Sequence, residues 1–104
     1  MPKVAVVMGS DSDLPVLEKA VGLLADFGIR REVRVISAHR TPDAAAEFAK
    51  GAQRSGVEVI IAAAGKAAHL PGVLASMTTV PVIGVPVKSS FMDGLDSLLS
   101  IVQM

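Results

Sequence analysis

Short unbroken apolar runs alternate along the chain with longer stretches in which apolar residues recur every three or four positions. Val4-Ala5-Val6-Val7-Met8 is a continuous run, the pattern of a strand covered on both faces. Gly9 to Asp13 breaks it. Leu17, Ala20, Val21, Leu24 and Phe27 then fall on one helical face, and Gly28 supplies a stop. Pro15 is tolerated only in a first turn, which sets that helix start near Ser12. Glu32-Val33-Arg34-Val35-Ile36-Ser37 alternates polar with apolar and predicts a half-exposed, edge-like strand. Thr41-Pro42-Asp43 reads as an N-cap, a first-turn proline and an acid at the positive end of a helix. That helix carries Ala45, Phe48, Ala49 and Ala52 and ends by Ser55-Gly56. Val57 to Ala62 predicts a third buried strand, and after Gly65 a short helix runs through Leu74 toward Met77. Val80 to Val87 predicts a fourth strand, with Pro81 and Pro86 near its ends, where a strand accepts proline. Leu95, Leu98, Leu99 and Val102 close the chain with an i, i+3, i+4, i+7 stripe.

This β-α-β-α-β-α-β-α order implies a three-layer, doubly wound α/β fold with a parallel sheet and right-handed crossovers. An edge-like second strand beside buried first and third strands predicts the order 2-1-3-4 of flavodoxin-like folds. Residues 1–104 read as a single domain.

Composition narrows the function. Ten Lys plus Arg balance ten Asp plus Glu, so a protein that grips nucleic acid through its phosphates is disfavoured. The absence of cysteine excludes disulfide scaffolds and cysteine-based metal sites. No apolar stretch reaches membrane-span length, and Met1-Pro2-Lys3 leads into too few apolar residues for a secretory signal, so a cytoplasmic protein is expected. With 51% hydrophobic residues and a mean hydropathy of +0.54, the chain has more apolar surface than a small domain buries, which predicts a homo-oligomer.

In a parallel α/β sheet, ligands bind outside the carboxyl ends of the strands. The loops at that edge are Gly9 to Asp13, Ser37 to Thr41, Ala64 to Leu70 and Lys88 to Asp93. They hold both histidines, His39 and His69, together with Ser10, Ser12, Asp13, Ser37 and Arg40. Singly, each has an ordinary use: Ser12 and Asp13 suit a helix cap, Arg40 a solvated charge, and His69 a helix end. His39 directly follows a strand, between Ser37 and Arg40, and is harder to explain away. Together they suit a phosphate-bearing ligand. Helix N-termini offer free N–H groups, Arg40 a guanidinium fork, Asp13 an acceptor for ribose hydroxyls, and His39 a proton that can be given and retaken near neutral pH. Neither a P-loop, a dinucleotide fingerprint, a nucleophile elbow nor a phosphorylatable aspartate after the third strand is present. Two histidines without neighbouring carboxylates make a poor metal set, and no metal or organic cofactor is expected.

Three separated motifs carry a resemblance over the whole chain. They are Met8-Gly9-Ser10-Asp11-Ser12-Asp13, Ser37-Ala38-His39-Arg40-Thr41-Pro42 and Ala67-Ala68-His69-Leu70-Pro71-Gly72, with Gly84 to Val87 and Gly94 to Met104 in support. The chain resembles the family of N5-carboxyaminoimidazole ribonucleotide mutases and carboxylases of purine biosynthesis, and its histidine motifs are similar to the mutase class. The resemblance implies a carboxylate moved from the exocyclic nitrogen to carbon 4 of an imidazole ribonucleotide, with His39 as the acid and base. It implies that Ser10, Asp13 and Arg40 bind ribose and phosphate, with Gly9 and Ser12 in the same loop. Ser37 and the segment holding Gly65, Ala68, His69 and Leu70 would wall the pocket. It also implies an octamer, and a family chain that continues past Met104 with a further strand and helices. The family usually has glycine where this chain has Ala63 and Lys66; the Lys66 charge would either pair with the substrate carboxylate or block the pocket.

Overall fold

The protein is described here by a computed structural model covering residues 2–89 and 92–103. Met1, Ser90, Phe91 and Met104 lie outside the described residues, which removes two positions of the fourth candidate loop and the last residue of the final motif.

Four parallel strands, β1 (Lys3–Met8), β2 (Arg30–Val35), β3 (Val59–Gly65) and β4 (Val82–Val87), pair in the order β2-β1-β3-β4. Four helices, α1 (Leu14–Asp26), α2 (Pro42–Gly51), α3 (Leu70–Ala75) and α4 (Leu95–Gln103), connect and follow them. The apolar runs became the central strands because both faces are covered: Ala5, Val6 and Val7 are fully buried. Alternation sorts the core into two layers. Ala5, Val7, Ile60, Ala62 and Ala64 face the layer built with α2 and α3, whereas Val6, Met8, Ala63 and Val87 face Leu17, Val21 and Leu24 of α1.

The expected order is the observed one, and β2, whose polar-apolar alternation marked it, is an edge strand. Boundaries moved. The second strand lies two residues earlier than its pattern suggested, the third runs on to Gly65, and the fourth starts at Val82. Helix α2 stops at Gly51 and gives way to turns before Gly56, at φ 89°. Helix α3 starts only at Leu70, because Lys66 to His69 fold into tight turns, with Ala68 N–H bonding to the Lys66 carbonyl at 2.8 Å. Gly28 ends α1 at φ 73°, as a stop signal should.

Three amphipathic readings need correction. On β2 the alternation does not bury the apolar positions: Val33 and Val35 are exposed and only Glu32 is half-buried, because this edge strand has little packed against it. Phe27 lies past the end of α1 and is 70% exposed, off the buried face. On α4 the stripe of Leu95, Leu98, Leu99 and Val102 points outward, while Ser97 is fully buried and Ile101 half-buried against the α2–α3 layer. Gly84 permits this docking. A Cβ there would stand 3.0 Å from Ile101 Cγ2 and 3.3 Å from Pro71 Cβ, so any larger residue would push both side chains back from β4.

Candidate functional site

Each candidate loop begins where a strand runs out, so the sheet gathers them at one edge. Gly9 N–H bonds to the Ala63 carbonyl at 3.2 Å and Ile36 N–H to the Met8 carbonyl at 2.8 Å, which ties the ends of the first three strands together. Between these loops lies a cavity of about 470 Å³. Gly9, Ser10, Asp13, Ser37, His39, Arg40, Gly65, His69 and Leu70 all line it. A Cβ on Gly9 would touch nothing within 4 Å, so the chain's own packing does not require glycine there. The missing side chain leaves backbone open to a ligand.

Local hydrogen bonds explain the loop shapes. The Ser10 hydroxyl accepts from Ser12 N–H at 3.3 Å and pairs with the Ser12 hydroxyl at 2.9 Å, starting a turn of 3-10 helix over Asp11–Asp13 ahead of α1. The cap is therefore Ser10 rather than Ser12 or Asp13. Thr41 stands at the N-cap of α2 without capping through its side chain. Its hydroxyl instead accepts from Ser37 N–H at 2.9 Å and donates to the Ser37 carbonyl at 3.0 Å, while the Ser37 hydroxyl accepts from Arg40 N–H at 3.1 Å. This closed loop presents His39 and Arg40 outward. The Arg40 guanidinium reaches back toward the Gly9 carbonyl at 3.5 Å, bridging the first two loops.

The two histidines meet. His39 Nε2 and His69 Nδ1 are 2.9 Å apart, with the rings edge to face at 86° and centroids 5.1 Å apart. One nitrogen of that contact carries the proton and the other accepts it, so the two imidazoles form one proton-carrying unit. Sequence position placed both rings at the same edge; nothing in it signalled contact across thirty residues.

Ser12 and Ala68 fall outside the cavity lining. Ser12 is exposed and spends its groups on Ser10, and Ala68 is fully buried in the α2–α3 core layer. Conversely Lys88 and Ser89, which follow β4, line the cavity. Only their place after a strand could have indicated them. Lys66 also lines the cavity, at φ 56°, the left-handed conformation that favours glycine. The space persists with this lysine on its wall, so Lys66 does not fill it.

The charge balance of the wall suits an anion. Arg40, Lys66 and Lys88 face one described acid, Asp13. Lys88 also pairs with Asp93 at 3.1 Å on the surface. Burial pushes the Asp13 carboxyl above its ordinary value, with the Ser10 backbone hydrogen bond pulling the other way. No group of three or more His, Asp or Glu able to hold a metal ion occurs among the described residues.

Residues 3–104 match the AIR carboxylase family. The chain belongs to that family. It is 62% identical over 104 residues to the N5-carboxyaminoimidazole ribonucleotide mutase of Thermotoga maritima, covering 100% of this chain and 61% of the relative. It is 64% identical over 104 residues to the protein of the same name from Pyrococcus abyssi, covering 60% of that relative. The Saccharomyces cerevisiae phosphoribosylaminoimidazole carboxylase is 58% identical over 103 residues, which are 99% of this chain and 18% of that one. The chain thus spans about three fifths of the first two relatives' length. The crystal structure of Treponema denticola PurE superimposes with a TM-score of 0.86 at 29% identity, covering 100% of this chain and 66% of that one. This agreement fixes the flavodoxin-like arrangement.

Proposed function

We propose that this protein acts in purine biosynthesis as a carboxylate-transfer isomerase, converting N5-carboxyaminoimidazole ribonucleotide to 4-carboxy-5-aminoimidazole ribonucleotide on the way to inosine monophosphate. One observation carries the reading: the His39 imidazole shares a single cavity with Ser10, Asp13 and Arg40. The names of the relatives at 62% and 64% identity support the same reaction.

The Arg40 guanidinium and the Ser10 hydroxyl hold the phosphate, and the Asp13 carboxyl bonds the ribose hydroxyls. Gly9, Ser37, Gly65 and Leu70 shape the wall, and His69 bears on His39. In the first half-reaction the N–CO₂⁻ bond breaks, the exocyclic nitrogen takes a proton from His39, and carbon dioxide is released into the cavity. In the second, carbon 4 of the ring attacks that carbon dioxide, the new C–C bond forms, and His39 recovers the proton carbon 4 gives up. Atoms, charge and protons balance without a metal or organic cofactor. The active unit is a homo-octamer working in the cytoplasm. Exposed apolar side chains on α4 support the assembly, and no described helix is long and apolar enough to cross a membrane.

The test is incubation with N5-carboxyaminoimidazole ribonucleotide, following product, with aminoimidazole ribonucleotide plus bicarbonate as the parallel substrate. Product from the first and much slower turnover of the second is expected. His39→Asn should lower turnover by at least about a hundredfold while ligand still binds. Equal rates for variant and wild type would remove His39 from the chemistry, and product from the second mixture alone would make the protein a carboxylase. Binding without any product would make it a nucleotide-binding module.

A further inference from the structure

Ser97 is fully buried in an otherwise apolar contact and lines no described cavity containing the two histidines. For packing alone, alanine would serve. Its hydroxyl instead makes two short hydrogen bonds, accepting from Lys66 N–H at 2.7 Å and donating to the Val87 carbonyl at 2.7 Å. It therefore joins the end of β4 to the first residue after β3. One turn further along α4, the Ser100 hydroxyl reaches the Lys66 carbonyl at 3.2 Å, sharing its proton with the Asp96 carbonyl at 2.9 Å. Lys66 is thus held at both its N–H and its carbonyl by the same helix.

The residue so held is one of two non-glycines at positive φ among the described residues, and it is the one on the cavity wall. A strained conformation persists only where its surroundings over-determine it. From Lys66 the chain reaches His69 through two tight turns, with Ala68 N–H on the Lys66 carbonyl at 2.8 Å and His69 N–H on the Ala67 carbonyl at 2.9 Å. No slack lies between the clamp and the imidazole. Were Lys66 to relax into the right-handed region, its N–H would swing off Ser97 and the three residues that follow would be redirected. The 2.9 Å contact between His69 and His39 would not survive that movement.

We propose that Ser97, assisted by Ser100, is a positioning residue for the His39–His69 pair, acting through the backbone of Lys66. The inference rests on this cavity being the reacting site, but its principal readout does not require turnover. In ¹⁵N-labelled protein at fixed pH, the imidazole nitrogen signals report which nitrogen of the contact carries the proton and whether the rings remain bonded. Ser97→Ala should collapse that signature and lower kcat on the order of tenfold, with KM changed less than about twofold. Ser100→Ala, at a half-buried site, should shift it in the same sense by less, and carries the test if Ser97→Ala does not fold. The clamp further requires that Lys66→Gly in the Ser97→Ala background restore much of the signature, since glycine holds positive φ without help.

Unchanged imidazole spectra in a folded Ser97→Ala protein would overturn the proposal, as would unchanged spectra in Ser100→Ala where Ser97→Ala is unfolded. An equal loss with Lys66 and with Gly at position 66 would also overturn it, because Ser97 would then act by packing alone. If the spectra respond as expected but wild type makes no product, the enzymatic reading fails and the positioning role stands.

Discussion

Lys66 carries the clearest tension between folding and the candidate chemistry. At φ 56° its Cβ crowds the backbone, a cost of about 1–2 kcal/mol for a residue other than glycine. Replacement by glycine removes that cost but adds freedom to the unfolded chain. Lys66→Gly should therefore raise stability by about 0.5–1 kcal/mol, read as a higher urea midpoint. A lower midpoint would mean that the lysine side chain stabilises the fold more than its backbone strains it. Asp13 shows the same tension in electrostatic form. Burial raises its pKa, so holding the carboxylate ionised at the cavity wall works against stability at neutral pH, whatever it contributes to ligand binding.

Among the elements, β2 and α4 show how pattern and packing part company. Strand β2 alternates polar with apolar residues, yet on the sheet edge its Val33 and Val35 are exposed and Glu32 is the half-buried residue. Its charges rather than its apolar positions fasten it. Glu32 pairs with Lys3 of β1 at 3.0 Å and with Arg34 at 2.6 Å. The Lys3 hydrogen bond, followed by the bond to Arg34 and the charges of both, holds the Glu32 pKa below its ordinary value of 4.5 despite some burial. A lowered carboxyl pKa contributes stability above its unfolded value and loses it as pH falls through the folded one. Glu32→Gln should thus cost about 0.5 kcal/mol at pH near 7 and almost nothing near pH 3, by urea unfolding at the two pH values. An undiminished difference in acid would assign the loss to shape rather than charge. On α4 the most regular apolar stripe is not the face that docks. The contact is made by Ser97 and Ile101, because Gly84 opens a close approach and the Ser97 hydroxyl finds two backbone partners. Periodicity measures how apolar one side of a helix is, not which side has a surface to meet.

For the molecule as a whole, that outward stripe is a large apolar surface. Leu95, Leu98, Leu99 and Val102 are each more than 40% exposed on one nine-residue helix. A further copy covering it is the economical reading, given the excess of apolar residues over what a domain this size buries. Light scattering should find a discrete octamer in the wild type. The pair Leu98→Asp and Leu99→Asp should yield smaller species of unchanged circular dichroism. An unaltered mass would place the subunit contacts elsewhere.

Strand identity, strand order and the edge that gathers the candidate loops were all readable from the chain, because the unbroken runs of β1 and β3 mark strands covered on both faces and loops follow strand ends. Gly9, Ser10, Asp13, Ser37, His39, Arg40, Gly65, His69 and Leu70 could be named for the same reason. The burial of the two edge strands was not readable, since Val33 and Val35 of β2 and Ile83 of β4 are exposed. What the chain could not disclose were facts of distance. That His39 touches His69, that Ala68 turns into the core while Lys88 turns to the cavity, and that a buried serine on α4 fixes the backbone of Lys66 depend on how layers settle against one another to within a few tenths of an ångström. Hydrophobic patterning constrains which face of an element is buried; hydrogen bonds and close packing between distant residues decide the rest.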